Sequence, residues 1–414
     1  NNYHWCMRSF FAILFFLVTL AGQAQTLGFS LAEGRKRVDI PIEIHNNLVV
    51  VPVLLNGMLP LKFIVDTGVR TAILTQKTFT DILNLPYARK YSIAGPGGEK
   101  LIEAYITNGV DLQLPGVDGH GHALLVLEED YLELRNYLGT DVHGVLGYEI
   151  FSRFVVKIDY KDKIMTLMTP EKLRAGRKYE KLRLSIEDTK PYVHASITQA
   201  NGETKNLKLL MDSGASHVKL IEPASDSLMD FPRNTVSCVV GRGLGGEIRG
   251  KSGRIKELSL GRFVLENVIA NYPDPNSYLD TLKLGNAFRN GTIGGEILSR
   301  FTVIYNFSRE EVYLKKNADF KKGFYYNLSG LTLRAKGTRL NAFEVTDVRK
   351  ESSSDKAGLL IGDEIVSING INASEISLNQ LNAYLNMKPG KRITVSIKRN
   401  DTLIDKKMVL ENTF

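Results

Sequence analysis

The sequence predicts a mainly β chain built from two pseudo-symmetric lobes and a smaller C-terminal domain. Three observations predict it. An Asp-Thr/Ser-Gly tripeptide closes an apolar run twice, a glycine-bounded block ending in Ser-Arg-Phe recurs at nearly the same interval, and the chain changes character after about Lys322. The 414 residues hold material for roughly two to three packed domains. Apolar residues make up 43% and charged residues 24%, a balance that excludes wholesale disorder.

Residues 1–24 read as an export signal. Met7-Arg8 opens a short positive region, Phe10 to Leu20 is apolar, and Gly22-Gln23-Ala24 supplies the small residues that precede a cleavage point. The apolar stretch is too short to span a bilayer, which favours cleavage near Ala24 over retention as an inner-membrane anchor. Cys6 precedes that stretch and is not placed to carry a lipid. After cleavage only Cys238 remains, so no intrachain disulfide forms and stability rests on packing. A bacterial periplasm or cell envelope fits this better than a cysteine-rich extracellular setting.

Residues 25–175 and 176–321 are expected to be the two lobes. In the first, Phe63-Ile64-Val65 runs into Asp66-Thr67-Gly68; in the second, Leu209-Leu210-Met211 runs into Asp212-Ser213-Gly214. A strand ending this way exposes a carboxylate at a tight turn, and the glycine lets two backbones approach. The block from Gly144 to Phe154 then returns from Gly291 to Phe301, each copy leading into an alternating strand, Val155 to Tyr160 and Thr302 to Phe307. A period of this size marks a duplicated lobe and not a solenoid.

These residues resemble the retropepsin-like branch of the aspartic proteases, with two β-barrel lobes fused in one chain over about residues 38–316. The resemblance implies that Asp66 and Asp212 are the catalytic pair. It also implies that Thr67 and Ser213 hydrogen-bond across the lobes, that Gly68 and Gly214 support the turns, and that Val145-Leu146-Gly147 and Thr292-Ile293-Gly294 complete each lobe's loop. Two carboxylates about 3 Å apart cannot both ionise cheaply, so they share a proton and activate water without metal, cofactor or covalent intermediate. With both lobes in one chain, no obligatory dimer is needed.

Between the landmarks of each lobe lies a candidate flap carrying Gly95, Gly97 and Gly98 in the first and Gly243, Gly245 and Gly246 in the second. Gly241, Gly243 and Gly246 also satisfy a dinucleotide-binding pattern. No helical periodicity follows to hold a pyrophosphate, and a hairpin tip closing over an extended peptide explains both lobes, with plain hairpin turns as the alternative. His120, His122 and His143 lack zinc spacing and are expected to be loop histidines. Glu149/Arg153 and Glu296/Arg300 are expected to form i,i+4 helix salt bridges. The net charge of +8 is spread in mixed-sign clusters without interleaved aromatics, so no nucleic-acid surface is expected.

Residues 322–414 carry a small-residue turn at Asp355 to Gly358, Gly362-Asp363, and an alternating strand ending in Asn369-Gly370. The segment resembles a PDZ domain. The resemblance implies a peptide-binding site at Ser329, Gly330 and Leu331, a groove wall formed by Leu378 to Leu385, and a C-terminal peptide as ligand, bound by strand addition. A module that only packs against the lobes is the alternative. The function expected is a periplasmic or secreted aspartic endopeptidase acting on peptide or protein substrates. Its rivals are a catalytically silent peptide-binding scaffold of the same fold and a two-carboxylate glycosidase, the latter disfavoured because glycosidase carboxylates need not sit on matching turns.

Overall fold

The computed structural model describes residues 27–94, 101–220, 232–274 and 289–414. Residues 1–24, where an export signal is expected, and Gly95, Gly97 and Gly98 lie outside the described residues.

The first lobe runs through Arg37–Pro41 (β1), Glu43–His45 (β2), Leu48–Leu55 (β3), Leu59–Val65 (β4), Ile73–Leu74 (β5), Arg89–Ala94 (β6), Leu101–Val110 (β7), Leu112–Gln113 (β8) and His122–Leu127 (β9). It continues with the helix Leu134–Leu138 (α1), Gly144–Leu146 (β10), the helix Tyr148–Arg153 (α2), Val155–Asp159 (β11) and Ile164–Met168 (β12). The sheet order is β2-β3-β4-β10-β5-β9-β7-β6, with β8 pairing back onto β3 so that the sheet curls.

The second lobe repeats the plan with Glu180–Arg183 (β13), Ser185–Glu187 (β14), Lys190–Thr198 (β15), Thr204–Met211 (β16), Val218–Leu220 (β17), Thr235–Gly243 (β18), Gly246–Leu260 (β19), Phe263–Pro273 (β20), Gly291–Ile293 (β21), the helix Gly295–Leu298 (α3), Phe301–Asn306 (β22) and Glu311–Lys316 (β23). Its order, β14-β15-β16-β21-β17-β20-β19-β18, matches that of the first lobe strand for strand. Here β15 also pairs with β19, curling the sheet in the same sense.

The strands that follow the repeated block join the lobes. β11 and β22 pair antiparallel, with Val156 opposite Tyr305, inside a shared sheet ordered β13-β23-β22-β11-β12-β1. Every residue of β22 is buried, which accounts for a run of apolar side chains there in place of a two-sided alternation. Phe151 meets Tyr305 edge-on at 5.4 Å and stacks on Phe307 at 5.2 Å, so one hydrophobic core runs through both lobes. Rigid attachment of the two lobes follows from this packing.

The C-terminal part has its own core, built on Leu331–Lys336 (β24), Ala342–Val348 (β25), Glu364–Ile368 (β26), the helix Leu378–Leu385 (α4), Arg392–Arg399 (β27) and Thr402–Val409 (β28). The sheet order is β24-β25-β26-β27-β28, leaving β24 at an edge. Ser377 and Gln380 form a reciprocal capping box at the start of α4, and Leu378, Leu381 and Leu385 bury its inner face. The Arg399 guanidinium donates to both oxygens of the buried Asp363 at 2.6 and 2.7 Å, fixing the Gly362-Asp363 turn.

Candidate active site

The two Asp-bearing turns meet where the lobes join. β4 delivers Asp66 and β16 delivers Asp212, each beside a parallel neighbour from the repeated block: Leu146 of β10 lies opposite Val65, and Ile293 of β21 opposite Met211. The Asp66 amide donates to the Leu146 carbonyl at 2.7 Å and the Asp212 amide to the Ile293 carbonyl at 2.9 Å. Gly147 and Gly294 then pass close over the turns. A side chain at Gly147 would come within 2.0 Å of the Val69 carbonyl oxygen, and one at Gly294 within 2.4 Å of that of His217.

Each carboxylate is held by its own turn. The Gly68 amide donates to Asp66 Oδ1 at 2.7 Å, and the Gly214 and Ala215 amides donate to Asp212 Oδ1 at 2.9 and 3.1 Å. Beneath them the lobes exchange bonds reciprocally. The Thr67 amide donates to Ser213 Oγ at 3.1 Å and the Ser213 amide to Thr67 Oγ1 at 3.0 Å. The hydroxyls pass the connection on, Thr67 Oγ1 to the Met211 carbonyl at 2.6 Å and Ser213 Oγ to the Val65 carbonyl at 2.8 Å. Thr67 and Ser213 are fully buried, so removing either hydroxyl would leave an orphaned amide.

Gly214 is required for space. A Cβ there would lie 2.1 Å from the Asp66 carboxyl carbon, and one at Gly68 would lie 3.5 Å from that of Asp212. Neither glycine has a positive φ; close approach of the opposite carboxyl is what Gly214 provides, whereas a side chain at Gly68 would meet Asp212 at ordinary contact distance. Burial, and then the negative charge of Asp212, hold the Asp66 carboxyl well above the usual carboxylate range, against the opposing pull of the Gly68 amide and Lys190.

The second-lobe hairpin is formed as expected, with Gly243 opposite Gly246 and Leu244-Gly245 at the tip. Only Gly246 of the three has a positive φ, 125°. The hairpin crosses to the first lobe: Arg242 Nη2 donates to the Tyr137 hydroxyl at 2.5 Å, its guanidinium lies 4.2 Å from the Tyr137 ring centre, and it pairs with Glu133 at 3.5 Å. Leu244 packs beside a first-lobe cluster of Ile102, Ala104 and Leu127. Arg242, Tyr137 and Glu133 carry no motif. Their one sequence signal is a long cationic side chain inside a glycine-rich tip.

The expected i,i+4 salt bridges do not form. Glu149 pairs with His122 and Glu296 with His217, the latter at 3.1 Å. Arg153 donates to the Leu27 carbonyl at 2.9 Å, and Arg300 turns into the linker, donating to the carbonyls of Asp319, Phe320, Lys322 and Gly323 with its guanidinium 3.6 Å from the Phe324 ring centre. α3 ends at Leu298, two residues before Arg300, whose guanidinium is met by several linker carbonyls, while Arg153 closes α2 and is turned to the Leu27 carbonyl. The histidines also differ from expectation. His120 ends a short strand, His122 is buried in β9, and only His143 lies outside strand and helix, where burial lowers its pKa and its Nδ1 accepts from the Lys62 amide at 3.0 Å. Among the described residues no three potential metal ligands cluster.

In the C-terminal part, Ser329, Gly330 and Leu331 lead directly into β24, with α4 alongside. The loop amides are engaged internally: Gly330 donates to Asn327 Oδ1 at 3.0 Å, Leu331 to Ser329 Oγ at 3.2 Å, and Leu328 to Asn386 Oδ1 at 2.8 Å. Asn327 and Ser329 thus supply side-chain oxygens to the Gly330 and Leu331 amides of this loop.

The family model described as aspartyl protease matches residues 51–150 and 193–295, one segment in each lobe and each containing one Asp turn and the start of one glycine block. The model described as PDZ domain matches residues 327–408. No curated protein matches the chain. The chain therefore carries an aspartyl-protease domain of two retropepsin-like lobes followed by a PDZ domain.

Proposed function

We propose that this protein is an aspartic-type endopeptidase in which Asp66 and Asp212 form the catalytic pair. The observation that carries the reading is the reciprocal Thr67/Ser213 arrangement, which fixes the two carboxyls from opposite lobes against each other. Burial and the neighbouring carboxylate favour the protonated form of Asp66, so the pair shares one proton that the acid step can use. A water between them gives a proton to Asp212 while its oxygen bonds the scissile carbonyl carbon. Asp66 donates to the carbonyl oxygen, and collapse of the tetrahedral intermediate moves a proton to the leaving nitrogen, giving an acid and an amine.

The second-lobe hairpin is the substrate-covering element in this reading, and Gly243, Gly245 and Gly246 are its pivot, with Gly95, Gly97 and Gly98 as first-lobe counterparts. The PDZ domain supplies binding of a peptide or partner segment, and residues 1–24 direct export to the periplasm or cell envelope. One chain makes a complete site, so monomers are active.

Asp66→Asn and Asp212→Asn test the reading. Each should lower kcat/KM on a peptide library by about 10³-fold or more, since Asn fills the same space but cannot exchange a proton. Residual turnover near the wild-type rate in either variant would remove that residue from the mechanism. A folded wild-type protein with no cleavage at any pH from about 3 to 8 would leave the silent-scaffold reading.

A further inference from the structure

The helix α1 touches three bodies at once. Toward the second lobe, Tyr137 and the preceding Glu133 hold Arg242 of the hairpin. Toward the C-terminal domain, Asn136 Nδ2 donates to the Ala335 carbonyl of β24 at 2.8 Å, and Arg135 Nη2 donates to the Thr338 carbonyl at 2.6 Å. At its end, Gly139 lies against the first residue of α4: a Cβ on Gly139 would come 2.5 Å from the Leu378 Cβ. Asn379 adds a bond from α4 to the Ile44 carbonyl of β2 at 3.1 Å.

These contacts set α1 against Ala335 of β24 and against Leu378 at the start of α4. β24 is the edge strand of its sheet, and Ala335 O is already given to a side chain of the protease lobe. The helix is only five residues long and sits between two residues in left-handed backbone conformation, Glu133 at φ 47° and Gly139 at φ 65°. A glutamate held at that φ is a strained pivot, maintained by what surrounds it.

We propose that α1 is a latch shared by the PDZ edge strand and the hairpin of the second lobe, so that loosening α1 from β24 frees the hairpin. This rests on the peptide-binding reading of the C-terminal domain only for its consequence. An extended peptide adding to β24 competes with Asn136 for Ala335 O and meets Gly139 at Leu378, and its arrival there releases Arg242. The latch itself stands on the contacts alone.

The test is amide hydrogen exchange on the full chain, which needs no turnover and therefore separates the latch from the catalytic reading. Asn136→Asp keeps the side chain's shape and removes the donor to Ala335 O; Asn136→Ala with Arg135→Ala removes both links. Each should raise exchange at the hairpin residues Arg242–Glu247 by about fivefold or more, the effect of losing about one hydrogen bond. Tyr137→Phe, which leaves the β24 contacts in place, should free the hairpin similarly, and combining it with Asn136→Asp should add little, because both break one chain of contacts. Faster exchange in α1 and β24 with the hairpin at wild-type rates would overturn the proposal. So would strictly additive effects, or no change in either region.

Discussion

Asp66 binds its proton more tightly in the folded chain than in the unfolded one, because burial and Asp212 disfavour its charge. The folded state is then favoured at low pH, and that stability is lost as pH rises from the ordinary carboxylate range to the raised folded value. Asp66→Asn should accordingly melt above wild type at about pH 7, with the difference closing toward about pH 4. Each kcal/mol corresponds to roughly 2–4 °C in lobes of this size, and calorimetry at the two pH values reads it. An Asn variant that melts lower at both would show that repulsion from Asp212 is not what raises the carboxyl. At this scale the motif residues were legible, since Asp66, Thr67 and Gly68 are neighbours in the chain. The reason for Gly214 was not, because its excluded Cβ would meet a carboxyl from the other lobe.

Among the elements, the strands ending in Asp could be read from pattern, and the helix α4 from the resemblance to a PDZ domain. Leu378, Leu381 and Leu385 fall on one helical face behind a Ser-X-X-Gln box, and all of these residues lie close together in the chain. α1 escaped notice because five residues show no period, and what holds it are partners far away in the sequence. The second-lobe hairpin was visible as glycines, but the glycines are not equivalent. Gly246→Ala should cost the tip its φ of 125° and lower kcat/KM by about tenfold, as expected of a side chain forced into that region, with little change in thermal midpoint. Gly245→Ala, where φ is not positive, should stay within about twofold, since most substitutions away from a strained backbone are small. Equal effects of the two would mean that tip flexibility matters and conformation at Gly246 does not.

Over the whole molecule, Arg300 anchors the segment that leads into the PDZ domain. Its side chain is 6% exposed and holds four linker carbonyls, while Arg254 on β19 donates to the Phe324 and Phe414 carbonyls. Arg300→Lys keeps the charge but presents a point donor where a planar fork is needed. It should cost about 2–3 kcal/mol, from buried acceptors left unpaired, and separate the melting of the two cores. A single unchanged transition would show that the linker is held by other contacts. The sequence by itself determined the duplicated lobes, both Asp turns and the PDZ pattern, because each is written in residues adjacent in the chain or repeated along it. Only the tertiary structure decided that Arg300 serves the linker and the Glu296 carbonyl and not the Glu296 carboxylate, that Glu149 meets His122, and that α1 joins Arg242 to Ala335. Long polar side chains take whichever acceptor packing brings within reach, and local spacing carries no information about segments that meet only after folding.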